Sequence, residues 1–271
     1  MMAEKKSTKT GAAKIAAALF LLAVCQIANA QPFSLGKGTE IGIGAFEIAG
    51  EVFHNIYDFA FVEDDWDGKP FDKNDVNPFD RALMHSYSKA WDRTGDAMMC
   101  VLPAGSFLFG AYFVHRDGGN SELLTHSVMF AETVLVAHTL PHLLKGPVSR
   151  VRPYNYYGGD EAIEDSWKRS FFSGHTTMAF ASATFASYTF CKWFPESRMK
   201  IPFAITAHAL AAFTGASRIL AGCHFATDVL VGAAVGSAVG FLVPFMHTLN
   251  AKNAATTITA SPLGFSIRHE F

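Results

Sequence analysis

Five apolar runs dominate the second part of the chain. Residues 97–114, 201–216 and 229–246 carry no charged side chain, 123–144 carry only Glu132, and 176–194 carry only Lys192, near their end. Each approaches the roughly 20 residues that an α-helix needs to cross a bilayer, although 201–216 falls short of that length. A core helix of a soluble protein keeps a polar face. Here 180–190 and 230–245 show almost no charge on any side. Gly232, Ala233, Ala234, Gly236, Ala238 and Gly240 form a run of small residues that lets helices approach closely in lipid. The pattern predicts an all-α, membrane-embedded helical bundle with a core at 97–250. His126, Glu132, His138 and His142 on the second run are expected to face the bundle rather than lipid, and the His138–His142 pair to pack there rather than to hold a metal.

The N-terminal third reads differently. Lys5, Lys6, Lys9 and Lys14 precede an apolar stretch at 15–24 and the small-x-small sequence Ala28-Asn29-Ala30. That order predicts a cleaved signal peptide at 1–30, with an uncleaved anchor or lipidation at Cys25 as the alternatives. Residues 31–96 form an amphipathic and surface segment. Within it, 40–61 has helical periodicity but carries Glu47, Glu51, His54 and Asp58. One acidic or basic group at mid-bilayer costs about 2.5–3.5 kcal/mol, so this helix is expected on the membrane surface or against the bundle, with a spanning helix as the alternative. Glu63, Asp65, Asp67 and Gly68 imitate a calcium loop, but Asn74 stands where a bidentate Glu belongs and Pro70 interrupts it; a solvated acidic loop is the better reading. Asn77-Pro78 signals a helix start, and the following helix should align Phe79, Leu83, Tyr87 and Trp91. The tail at 251–271 alternates and turns at Pro262-Leu263-Gly264, which suggests a short hairpin.

Charge and cysteine content narrow the class. Twenty-two basic against 24 acidic residues give a net charge of −2, without the basic field that nucleic-acid binders carry. Cys25 leaves with a cleaved signal. Cys100 and Cys191 sit in apolar runs, where buried thiols are ordinary, and Cys223 has no metal-spaced partner, so neither a disulfide nor a zinc site is expected. Lys192, Arg198 and Lys200 form a basic loop that belongs on the cytoplasmic side. Counting spans from the signal, whose lysines should also stay inside, puts 145–173 and 218–224 together on the opposite side; a spanning 40–61 after signal cleavage would invert this, which the basic loop argues against.

Those two segments hold the candidate chemistry. Lys145 to Pro153 reads KGPVSRVRP, with Lys145 and Arg152 seven apart; on a helix both cations would face one way. Arg150 lies beside them as a rim or lipid-facing residue. Ser173-Gly174-His175 opens an apolar run, and free N–H groups at a helix start suit an anion. Ser217 to Asp228 reads SRILAGCHFATD, where helical spacing would set Asp228 beside His224 and fix its tautomer. Taken singly, these are interfacial anchors, a capped turn and a structural pair. Together and in order, over about 97–247, they resemble the type 2 phosphatidic acid phosphatase (PAP2) superfamily, which includes lipid phosphatases, bacterial acid phosphatases and vanadium haloperoxidases. The departure is Phe172, where that family usually has proline.

The resemblance implies a helical bundle of the acid phosphatase–vanadium haloperoxidase type and a metal-independent phosphatase without a cofactor. It implies that His224 attacks phosphorus and becomes a phosphohistidine, Asp228 orients it, and His175 protonates the leaving oxygen. Lys145, Arg152, Ser173, Gly174 and Arg218 would hold the phosphate. The expected substrate is a phosphorylated membrane lipid, and the expected place a bacterial inner membrane with the site facing the periplasm. The alternatives are a soluble periplasmic acid phosphatase of broad specificity, a haloperoxidase, and a non-catalytic anion-binding scaffold. Tyr154, Tyr156 and Tyr157, with Asp160, Glu161, Glu164 and Asp165, are expected to roof the pocket.

Overall fold

A computed structural model describes residues 31–61, 69–158, 167–254, 256–261 and 264–269. The signal segment, the acidic loop at 63–68 and the acidic stretch at 160–165 lie outside the described residues. Residues 35–247 form one compact unit of helices: α1 (Lys37–Phe61), α2 (Pro78–Leu83), α3 (Lys89–Val148), α4 (Gly174–Trp193), α5 (Lys200–Leu220) and α6 (Ala226–Ala254), the last running on past that unit. A second unit contains, among the described residues, an antiparallel hairpin of β1 (Thr256–Ser261) and β2 (Gly264–His269), in register from Thr256 opposite His269 to Ser261 opposite Gly264.

Two of the apolar runs share α3. Gly119 breaks it at φ 76° and ψ −164°, a conformation open to glycine alone. The two arms fold back on one another: Phe107 meets Phe130 at a ring-centroid distance of 5.3 Å and stacks on His126 at 6.0 Å. Among the described residues, three helices are by length and composition apolar enough to cross a membrane, namely α3 with its continuation to Tyr156, α5, and α6 over Ala226–Ala251. We read them as membrane-spanning.

Small residues set the spacing that the site depends on. Gly232, Gly236 and Gly240 lie on one stripe of α6, four residues apart. A Cβ added to them would stand 2.8 Å from the Ser173 carbonyl oxygen, 2.3 Å from that of Thr177 and 2.3 Å from that of Ala181. So α6 lies directly on α4, and the start of each helix comes to the same end of the bundle.

α1 is amphipathic in the sense opposite to a soluble helix. Its polar side chains face α3: the Thr139 hydroxyl donates to Glu47 at 2.7 Å, and His54 meets His142 at 3.3 Å. Ile41, Ile48, Val52, Ile56 and Phe59 are exposed on its outer side. The carboxylates that argued against a lipid-facing helix are thus turned inward, and α1 lies against the bundle. His138 stacks on His142 at 4.3 Å.

Two local expectations fail. Asn77 does cap α2, accepting from the Asp80 N–H at 3.0 Å, but α2 ends at Leu83 and the chain is extended at Met84. Phe79 and Leu83 therefore do not share a helix with Tyr87 and Trp91. Of the three cysteines among the described residues, Cys100 and Cys191 are exposed, because they sit on the outer faces of their helices, and Cys223 is buried.

Candidate active site

The three motifs meet at one end of the bundle, where α3 begins and returns, α4 and α6 begin, and α5 ends. Lys145 sits near the end of α3. The helix stops three residues later, and Ser149 adopts the left-handed conformation at φ 45° and ψ 44°. Arg152 lies beyond this stop, so a turn, rather than two helical turns of spacing, brings it to the site. It is fixed by its N–H to the Trp167 carbonyl at 2.8 Å and by its guanidinium to the Cys223 carbonyl at 3.3 Å.

Ser173 caps α4. Its hydroxyl accepts from the Thr176 hydroxyl at 2.9 Å, and its own N–H donates to the Asp228 carbonyl at 3.2 Å. The peptide between Phe171 and Phe172 just before it is cis. Gly174 faces Lys145: a Cβ placed there would lie 3.8 Å from the Lys145 Nζ.

His224 lies in the turn before α6, not on the helix, so its relation to Asp228 is not the expected one. Nδ1 is 3.9 Å from Asp228 Oδ2, too long for a hydrogen bond, and donates instead to the Ser170 carbonyl oxygen at 2.7 Å. Asp228 acts one step back. It accepts from the Ser170 hydroxyl at 2.6 Å and from the Phe225 N–H at 2.9 Å. Ser170 carried no sequence signal, because the interaction that matters uses its main chain. With Nδ1 engaged as donor, Nε2 is left with its lone pair.

Arg150 is not a rim residue. Its guanidinium bridges two fully buried carboxylates, Nη1 to Asp228 at 2.5 Å and Nη2 to Asp80 at 2.7 Å, and lies over the Phe225 ring. Asp80 also accepts from the Thr227 N–H and hydroxyl at 2.9 and 2.6 Å. Burial pushes the Asp80 carboxyl up, but the donors from Thr227, Arg150 and Asn77 outweigh it and hold it below its usual range.

Arg218 is almost wholly buried and is held by α3: Nη2 pairs with Asp92 at 2.8 Å, and Nη1 donates to the Asp92 carbonyl at 3.0 Å and lies 3.7 Å from Asp96. The arm comes this close because residue 95 is glycine; a Cβ there would stand 2.5 Å from the Arg218 Nη1. His175, partly exposed, pairs through Nε2 with Asp96 at 2.9 Å. Asp92 and Asp96 belong to no motif, and their spacing on a helix start gave no reason to single them out.

The electrostatics follow. Burial, then the charges of Arg152, Arg218 and Lys145, hold His224 neutral, with its pKa well below the usual imidazole value. Burial and Arg218 pull His175 down to about 4, against the opposing pull of Asp96. The Cys223 thiol, buried beside them, is pushed up to about 11 and stays protonated. Lys145, Arg152 and Arg218 thus act on two neutral imidazoles, a grouping whose chemistry would suit a multiply charged anion. Only one cluster among the described residues has the makeup of a metal site, Glu40, Glu132 and His247, with ligand atoms within 4.8 Å of one another. It lies on α1, α3 and α6, and His247 Nε2 already meets Glu132 at 2.7 Å.

The tyrosines expected to roof the pocket are held by packing contacts. Tyr154 is buried against Tyr87, Tyr156 packs on Phe225, and the Tyr157 hydroxyl donates to the Met84 carbonyl at 2.8 Å.

Residues 126–252 match the family model of the PAP2 superfamily, a span that contains all three motifs. A lipid A 1-phosphatase of Porphyromonas gingivalis is 35% identical over 109 residues, 40% of this chain and 23% of that protein. A PA-phosphatase related-family protein of Dictyostelium discoideum is 28% identical over 157 residues, 54% of this chain and 56% of that one. The chain thus spans about a quarter and about half of these two curated relatives. Among solved structures, a transmembrane PAP2 type phosphatidylglycerolphosphate phosphatase of Bacillus subtilis superimposes with a TM-score of 0.47 at 22% identity, covering 74% of this chain and 94% of that one.

Proposed function

We propose that the chain, whose residues 126–252 match the family model of the PAP2 superfamily, is a metal-independent phosphatase of phosphorylated membrane lipids. The observation that carries the reading is the neutral His224 held by Ser170 while Lys145, Arg152 and Arg218 act on it together with His175. The three cations bind the phosphoryl oxygens. His224 Nε2 attacks phosphorus in line, and the bond from phosphorus to the lipid oxygen breaks. His175, protonated once the bound dianion offsets Arg218, gives its proton to the departing alkoxide. Water then attacks the phosphohistidine, His175 takes its proton, and phosphate leaves. The guanidinium and ammonium groups supply the charge that a divalent ion supplies elsewhere. The helices long enough to cross a membrane support a lipid substrate, and we place the site on the periplasmic face of a bacterial inner membrane.

Purified protein in detergent, assayed on phosphatidic acid, phosphatidylglycerol phosphate, a lipid A phosphate, an isoprenyl pyrophosphate and a soluble aryl phosphate, tests this. At least one lipid should exceed the aryl ester in kcat/KM, and His224→Ala should abolish both activities. An aryl phosphate turned over faster than every lipid would favour the soluble-ester reading instead.

A further inference from the structure

An apolar groove of about 350 Å³ runs between the first arm of α3 and α5, lined among others by Met98, Leu102, Gly105, Ser106, Ala207 and Leu210. It exists because the two helices are pinned at both ends and small in between. At the site end Arg218 pairs with Asp92, and Trp91 meets Phe213 edge-on at 6.4 Å. At the far end Phe109 stacks on Phe203 at 4.7 Å. Between the pins, Gly105 and Ala207 leave space, and Leu102 packs on Ala179, Ala183 and Ala211 beneath.

Two features say what the groove holds. Its upper end is next to the site, since Gly95, one turn before Met98 on the same face of α3, lies directly against the Arg218 guanidinium. Its length matches one leaflet: the helix from Met98 to Phe109 rises about 16 Å, close to half of the ~30 Å hydrocarbon thickness. A molecule with its phosphate among the three cations has its hydrocarbon part beginning at that mouth.

We propose that this groove binds one hydrocarbon chain of the lipid phosphate, from the headgroup down to the Phe109–Phe203 floor, and so selects lipid over soluble esters. The proposal rests on the phosphatase reading above and names the subsite that gives it specificity. Gly105 is the lever. A Cβ there meets nothing within 4 Å, so a larger side chain enters the groove without displacing the fold, and leaving glycine favours the helix.

The test compares wild type, Gly105→Leu and Ala207→Leu on lipid phosphates of increasing chain length and on a soluble aryl phosphate, all in the same mixed micelles. Wild-type kcat/KM should rise with chain length and level off near the floor. Gly105→Leu should leave the aryl rate unchanged and lower the long-chain rate about tenfold by evicting a few methylenes from van der Waals contact. If Gly105→Leu loses the aryl activity too, Ala207→Leu reads the same ratio from the opposite wall. A lipid-to-aryl ratio equal to wild type in the variant that keeps its aryl activity overturns the groove. So does a variant that changes only the oligomeric state, which would make the groove a seam between copies. Failure of the phosphatase reading looks different, because wild type would then hydrolyse neither class.

Discussion

Arg150→Ala is the most informative structural perturbation, because it strips one cation from two buried anions. Nη1 to Asp228 is 2.5 Å and Nη2 to Asp80 is 2.7 Å; both carboxylate side chains are 0% exposed and the arginine 24%. At a charge separation of about 4 Å and an effective dielectric near 20, each attraction is worth about 4 kcal/mol before desolvation is counted. Desolvation offsets much of that, and the measured cost of removing one partner from a buried pair is about 3–5 kcal/mol. Asp80 keeps Asn77 and Thr227, and Asp228 keeps Ser170 and the Phe225 N–H. The lower end, about 3 kcal/mol, is therefore expected. Arg150→Lys, which can meet only one carboxylate at a time, should recover part of it. The loss should also reach turnover. Asp228 positions Ser170, and the Ser170 carbonyl holds the His224 Nδ1 proton. Misplacing a reacting group by about 1 Å costs on the order of a hundredfold, so kcat on an aryl phosphate should fall by about that much while KM moves little. Denaturant unfolding in detergent, followed by tryptophan fluorescence, gives the first quantity and steady-state kinetics the second. Wild-type stability together with wild-type kcat in Arg150→Ala would refute the claim that this bridge supports the site.

His175→Ala should slow alkyl phosphates far more than activated aryl phosphates, because only the poor leaving group needs a proton. In the free site His175 lies near 4, so its acid form becomes scarcer as pH rises from there. The alkyl-to-aryl ratio of kcat/KM should therefore fall with increasing pH, and Asp96→Asn, which removes the carboxylate favouring the protonated ring, should lower it further. A pH-independent ratio would remove His175 from the role of acid. Gly222→Ala should destabilise by more than about 1 kcal/mol, since φ is +70° and the new Cβ would lie 2.6 Å from the His85 carbonyl oxygen; an unchanged unfolding midpoint would contradict that contact. EDTA should leave activity intact, because Lys145, Arg152 and Arg218 supply the positive charge; loss of activity restored by magnesium would contradict this.

The helical runs and the residues of the three motifs were legible in the chain because apolar continuity and fixed residue types survive without coordinates. What spacing implied about geometry was less secure. Lys145 and Arg152 converge through a left-handed turn at Ser149 rather than along a helix, and His224 precedes its helix instead of riding on it. The supporting residues were invisible for a different reason. Asp80, Asp92 and Asp96 come from remote segments of no recognisable motif, and Ser170 acts through its carbonyl, which every residue possesses. Arg150 misled because a basic residue near a bilayer ordinarily faces headgroups, whereas here two buried carboxylates recruit it. The inward face of α1 was hidden likewise: counting carboxylates gives their number, not the side they occupy.

The account turns on His224 as the atom that takes the phosphoryl group. Rapid acid-free quenching of the enzyme with a lipid phosphate labelled at phosphorus, followed by peptide mass spectrometry, reads that event directly. Phosphate on His224, formed faster than turnover and missing in His224→Ala, is the result expected. Full turnover by His224→Ala, or a label carried on any other side chain, would contradict it.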